Sequence, residues 1–129
     1  MRRSLGHHGG QRRALALILP GPFTYFTALG ETARLFFEGY DVLVLPTSQV
    51  PPFPADQEYP ADINGKPMAT YLDWMRSAYF VTTTGCPAIS VPGGTTRDGL
   101  PVGVQLVAAH GADRRLLEIA AAFEALGSA

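Results

Sequence analysis

Two hydrophobic periods alternate along this chain. From Thr24 to Glu38 the apolar positions Phe26, Leu29, Ala33, Phe36 or Phe37, and Tyr40 recur three and four residues apart, the spacing of one helix face. Pro22 stands just ahead, Thr24 or Thr27 suits the cap, and Gly39 suits the end. Asp41-Val-Leu-Val-Leu-Pro46 then runs apolar without a polar face, which predicts a short strand covered on both sides in a parallel or mixed sheet. Helix, tight turn and strand make half of an α/β unit.

Periodicity disappears between Thr47 and Pro67. Pro46, Pro51, Pro52, Pro54, Pro60 and Pro67 hold this stretch extended and forbid a helix, and Asn64-Gly65 marks a turn within it. A loop of about 20 residues inside a compact domain is often functional or wrapped over a neighbour. Helical spacing returns over Thr70 to Thr84, with Tyr71, Met75 and Ala78 or Tyr79 as a stripe and Trp74 beside it. The β-branched run Val81-Thr-Thr-Thr84 ahead of Gly85 predicts that this helix frays.

From Gly85 to Ala109 the period is two. Ala88 to Val91 is bracketed by Pro87 and Pro92, which limits a strand there to four or five residues. Val102 to Ala108 alternates, with Val102, Val104, Leu106 and Ala108 on one face and Gly103, Gln105 and Val107 on the other. Asp98-Gly99 supplies the turn between them. The pair feeds a last helix, Asp113 to Leu126, whose stripe is Leu116, Ile119, Ala120, Phe123 and Leu126. Asp113 belongs at its positive end, Arg114 and Glu118 share the wet side, and Gly127 ends it.

Composition adds mostly exclusions. With 129 residues, 47% of them hydrophobic and 16% charged, the chain is long enough for one domain with a real core. A net charge of −1 gives no electrostatic support to nucleic-acid binding. No segment reaches the roughly 18 apolar residues of a membrane span. Residues 1–13 read as a loose basic arm built on Arg2, Arg3, Arg12 and Arg13, and residues 1–22 as a whole stand apart from a segment 23–129. Met1-Arg-Arg and Ala14 to Leu19 mimic a signal peptide, but the apolar core is only six residues and no small-residue cleavage site follows. One cysteine, Cys86, fits a reducing compartment, and a cytoplasmic protein is expected.

Candidate chemistry is sparse. Ser90 lies inside a strand without the Gly-x-Ser-x-Gly elbow that presents a nucleophile. His110 follows a strand end, where catalytic groups gather, with no serine and carboxylate visibly arranged around it. Cys86 has no basic neighbour in sequence to lower its pKa, and Pro92-Gly93-Gly94 alone is weak evidence for an anion cradle. The adjacent His7 and His8 have no carboxylate or thiol beside them. No metal or cofactor site is expected.

The motifs as a set resemble the C-terminal part of the amidase signature family. They are Asp41-Val-Leu-Val-Leu-Pro-Thr47 with the Pro-rich loop, Gly85-x-Pro-Ala-Ile-Ser-Val-Pro-Gly-Gly94, Asp98-Gly-Leu-Pro-Val-Gly-Val-Gln-Leu-Val107, and Asp113-Arg-Arg-Leu-Leu-Glu-Ile-Ala-x-x-Phe-Glu124. The resemblance spans Arg34 to Leu126, and Gly-Leu-Pro-Val-Gly-x-Gln-Leu is its most specific part. It implies hydrolysis of carboxylic amides by a Ser–Ser–Lys triad with an oxyanion hole of backbone N–H groups. Those elements lie upstream of this region in the family, so no catalytic residue carries over. There is no Gly-Gly-Ser-Ser-Gly motif, and the one lysine, Lys66, stands in the Pro-rich loop. Residues 1 to about 33 lack the resemblance, as expected of a truncated or frameshifted gene or a wrong start site.

The resemblance further implies an α/β fold, a partial mixed sheet of two to three or more strands with about three helices. This region walls the family's substrate cleft, which makes Trp74, Tyr79, Phe80 and Thr82 the candidate substrate-binding residues. It also makes Gln105 a strand glutamine that satisfies buried polar groups. A small amide is the expected ligand only when the missing catalytic part is supplied. The leading expectation is therefore an amidase fragment inactive alone, and the alternative a noncatalytic subunit or interaction module completing an amidase or amidotransferase partner. Either leaves apolar surface and a sheet edge uncovered, through which the chain would self-associate or meet a protein partner.

Overall fold

The computed structural model describes residues 22–127, and the basic arm with its His7–His8 pair and the Ala14–Leu19 run lies outside them. Helix α1 (Pro22–Phe37) starts on the proline, whose missing N–H costs nothing in a first turn. It ends where the Gly39 N–H reaches back to the Phe36 carbonyl at 3.1 Å. Strand β1 (Leu43–Pro46) follows, and later come β4 (Ala88–Thr95), β5 (Pro101–Val107) and helix α4 (Asp113–Gly127). The three strands form one sheet in the order β1-β5-β4, with β5 at the centre.

The α/β class and the strand count match the expectation, but both pairings are antiparallel and the described sheet is not mixed. β1 is an edge strand, half-buried at Leu43 and Leu45 and open at Val44, so its apolar run is not covered on both sides. The strand buried on both faces is instead β5, where Gln105, Leu106 and Val107 are all enclosed. Periodicity within β1 cannot reveal which strand takes the centre, because that is decided by pairing across more than 50 residues of chain.

The core lies between the sheet and α4. Val91, Leu106 and Ala108 pack on Leu116 and Ala120, ringed by Val42, Ile89, Val104, Ala112, Ile119 and Phe123. This is the alternation expected of β5 meeting the expected stripe of α4, except at Leu126, which is 80% exposed beyond the sheet. Asp113 takes the first turn, and the Arg114–Glu118 pair forms at 3.3 Å.

β4 runs four residues past its expected end. Pro92 is tolerated because β4 is an edge strand that needs no donor there, and a bulge between Pro92 and Gly94 absorbs the misfit. At Gly93 a Cβ would stand 2.5 Å from Val104 Cγ2, so the close approach of the two strands requires glycine. The 96–100 turn closes through Thr96 N–H to the Leu100 carbonyl at 2.8 Å, with Gly99 at φ +79°.

The Pro-rich loop is not wholly irregular. Strands β2 (Asp62–Ile63) and β3 (Lys66–Pro67) make a minimal hairpin around Asn64-Gly65, both at positive φ, and Asp62 Oδ1 accepts the Gly65 N–H at 2.8 Å. The helix expected over 70–84 is two pieces, α2 (Tyr71–Trp74) and α3 (Arg76–Thr82), broken at Met75. Fraying after Val81 is visible in atoms. Thr83 and Thr84 turn their hydroxyls back onto the carbonyls of Phe80 and Val81 at 2.7 and 2.6 Å, and Gly85 then turns at φ +70°.

Candidate functional site

The sheet face away from α4 opens into a cleft of about 710 Å³, within the usual size of small-molecule sites. Its floor is the end of β1 and the start of β5, and one wall is the loop Thr47 to Phe53 with Trp74. The loop is held by its own polar side chains. Ser48 Oγ donates to the Val50 carbonyl at 2.7 Å, and Gln49 Nε2 donates to the carbonyls of Asp73 and Trp74, which ties the loop to the last turn of α2. Phe53 then meets Trp74 edge to face at 5.4 Å, and Tyr71 meets Trp74 likewise at 5.7 Å.

Helix α2 is short enough to need its own clamp. Asp73 accepts from the Thr70 N–H and hydroxyl at 3.0 Å each and from Arg76 Nη2 at 2.7 Å. The Arg76 guanidinium, then the Thr70 hydroxyl, holds the Asp73 carboxyl below its ordinary range. This clamp sets Trp74 one residue further along.

The polar centre of the cleft is a pair of hydroxyls. Thr47 Oγ1 and Ser90 Oγ are 2.8 Å apart, brought from the end of β1 and the middle of β4 across β5. They meet because Gly103 lies between them on β5. A Cβ there would stand 2.8 Å from Thr47 Oγ1 and 2.9 Å from Ser90 Oγ. The backbone continues the register, with the Thr47 N–H on the Gly103 carbonyl at 3.2 Å. Among the described residues lining the cleft none is titratable.

Of the four residues expected at the substrate, Trp74 lines this cleft. Tyr79 and Phe80 stack edge to face at 5.1 Å on α3 and are exposed, as is Thr82, and none of the three lines it. Ser90 lines the cleft, whereas His110 lines a separate hollow with Arg34, Glu38 and Cys86, so the two are not assembled into a nucleophile and base. Gln105 is 9% exposed, and its Oε1 has no hydrogen-bond partner among the described residues. Trp74 Nε1 is likewise buried without one. Phe53, Gln49 and Gly103 escape sequence reasoning. The proline content flags their loop as unusual, but only the long-range pairing of β1, β5 and β4 shows what Gly103 separates.

Comparison with known proteins agrees with this architecture. The Amidase family profile matches residues 24–117, beginning ten residues ahead of the motifs legible in the sequence, so α1 belongs to the matched region and the expectation for residues 24–33 is corrected. The chain is 41% identical over 97 residues to an acylamidase of Rhodococcus erythropolis, covering 74% of this chain and 20% of that protein. It is 38% identical over 88 residues to a glutamyl-tRNA(Gln) amidotransferase subunit of Alkaliphilus metalliredigens, covering 68% and 17%. Among solved structures, a bacterial aryl acylamidase of the amidase signature family superposes with a TM-score of 0.68 at 28% identity, over 78% of this chain and 21% of that one. A 6-aminohexanoate cyclic dimer hydrolase gives 0.62 at 32% identity, over 78% and 22%. The chain thus spans about a fifth of the length of these relatives. With the family profile matched from α1 into α4 and the sheet shared with solved members, the chain belongs to the amidase family.

Proposed function

We propose that this chain forms one wall of the substrate cleft of an amidase that hydrolyses a carboxylic amide to an acid and ammonia or an amine. The nucleophile, base and oxyanion hole come from outside it. The observation that carries this reading is the chemistry of the cleft. Its one polar pair, Thr47–Ser90, is neutral, and no lysine, histidine or carboxylate among the described residues lines the cleft to take a proton from either hydroxyl. An alcohol with no base beside it is a weak nucleophile at neutral pH. Such a wall shapes and orients a substrate; it does not attack one.

The chain alone is therefore inactive. Purified protein offered simple aliphatic and aryl amides is expected to release neither ammonia nor amine. Turnover that Ser90→Ala abolishes would overturn the reading.

A second reading, completion of an amidase or amidotransferase partner in trans, draws support from relatives that are themselves named as amidotransferase subunits. It also draws on the two unmet buried groups, Trp74 Nε1 and Gln105 Oε1, which a complementary chain would satisfy. Co-expression with the amino-terminal part of an amidase separates the two readings, since only the second expects a stable complex between independently made chains.

A further inference from the structure

We infer that Gln49 is a positioning residue of the cleft: its side-chain amide fixes the end of α2 and thereby the place of Trp74, on which binding at this wall depends. The inference rests on the amidase-wall reading and names the residue that holds the aromatic side chain of that wall.

Helix α2 carries Trp74 to the cleft without burying any residue of its own. Four residues are too few to hold a helix by propensity, and a single turn leaves its last carbonyls without intrahelical partners. The indole does not anchor itself, since Nε1 is buried with no hydrogen-bond partner among the described residues. Restraint therefore comes from neighbouring side chains. Asp73 gathers the Thr70 N–H, the Thr70 hydroxyl and Arg76. All three of those bonds lie within residues 70–76, so they shape the helix without setting where it sits against the sheet.

Gln49 supplies that link. Its Nε2 donates to the Asp73 carbonyl at 3.1 Å and to the Trp74 carbonyl, two groups that the end of α2 leaves unmet. An amide suits the task, because one nitrogen carries two N–H donors for two acceptors. Gln49 follows closely on the end of β1, so these bonds pass the position of the strand to a residue 25 further along the chain. Ser48 beside it bonds the Val50 carbonyl at 2.7 Å and fixes the turn from which Gln49 reaches out. On α3 the Ser77 hydroxyl meets the Thr47 carbonyl at 3.4 Å, beyond the usual length of an O–H bond and a weaker tie. Phe53 then packs on an indole already placed.

Gln49 is exposed, so its substitution leaves the core intact. The chain has one tryptophan, and acrylamide quenching of its fluorescence reports Trp74 alone. In the full chain, Gln49→Leu keeps the bulk and loses the donors. It is expected to raise the released fraction of Trp74 roughly three- to tenfold, the range of one neutral hydrogen bond. Gln49→Glu, which sets a carboxylate against the two carbonyls, should do the same. Gln49→Lys keeps N–H donors for a helix end and is expected to restore protection. Binding is read by grafting residues 24–117 into the Rhodococcus erythropolis acylamidase in place of its matching segment. There Gln49→Leu should raise KM roughly three- to tenfold with kcat changed less than about twofold, the pattern of lost ground-state binding. Gln49→Lys should return KM to that of the parent chimaera. Quenching in Gln49→Leu equal to wild type overturns the inference. So does Gln49→Lys behaving as Gln49→Leu, or a released Trp74 with KM unchanged. A parent chimaera without turnover would instead defeat the amidase-wall reading, while the quenching series still decides whether Gln49 holds Trp74.

Discussion

Gly103 shows how much of the site depends on an atom that is missing. Its lack of a Cβ lets the Thr47 and Ser90 hydroxyls meet over β5, and a side chain would have to part them. Gly103→Val is therefore expected to destabilise the chain by about 1–3 kcal/mol, the usual cost of overpacking, measured by urea unfolding. Wild-type stability would mean that Gly103 is not what lets the two hydroxyls meet. None of this is visible in Val-Gly-Val-Gln, where the alternation gives Gly103 a face and nothing more. The partners of that face come from Thr47 and Ser90, 43 residues apart in sequence.

At the scale of elements, the legible parts are those whose signal is local. The stripe of α4, the turns at Asn64-Gly65 and Asp98-Gly99, and the alternation of β5 follow from spacing and from backbone freedom at glycine, and the structure contains them. The misreadings come from contacts that spacing cannot carry. β1 reads as a central strand because its run is apolar, yet its open side faces no described strand. The split between α2 and α3 depends on the Asp73 clamp, which gathers Thr70 and Arg76 around one carboxylate. That clamp predicts a pH dependence. Asp73 titrates below its ordinary value in the folded chain, so its contribution to stability is fully present above about pH 4, the unfolded value. It is lost as the pH falls through the lower folded value. Acid titration followed through the Trp74 indole should release that residue in this window, and Asp73→Asn should remove the pH dependence while weakening the clamp at neutral pH. An indole signal unchanged down to the acid end, with no difference in Asp73→Asn, would contradict the assignment.

At the scale of the whole molecule, the described residues leave several large apolar side chains outside the core. Leu72 (62%), Phe80 (55%), Leu117 (60%) and Leu35 (53%) are exposed, and both edges of the described sheet are unpaired. The chain spans about a fifth of the length of the relatives it matches, and exposed apolar patches of this kind mark surfaces that further protein covers. The isolated protein is accordingly expected to self-associate or to bind a hydrophobic dye, with Leu72→Glu and Phe80→Glu reducing both. Sedimentation as a monodisperse monomer without dye binding would contradict this. The sequence contains no Gly-Gly-Ser-Ser-Gly segment, and its one lysine, Lys66, stands in the Pro-rich loop. It cannot show which faces are left open, because exposure is a property of the assembled sheet and helices.

Residues 24–117, which match the amidase family, are proposed to form a cleft wall whose catalytic groups come from outside them. A chimaera tests this most directly, with these residues replacing the matching segment of the Rhodococcus erythropolis acylamidase and amide hydrolysis as the readout. A soluble, folded chimaera that hydrolyses amides, while this chain alone does not, is the predicted result. A folded chimaera without activity, or turnover by the chain by itself, would contradict the account.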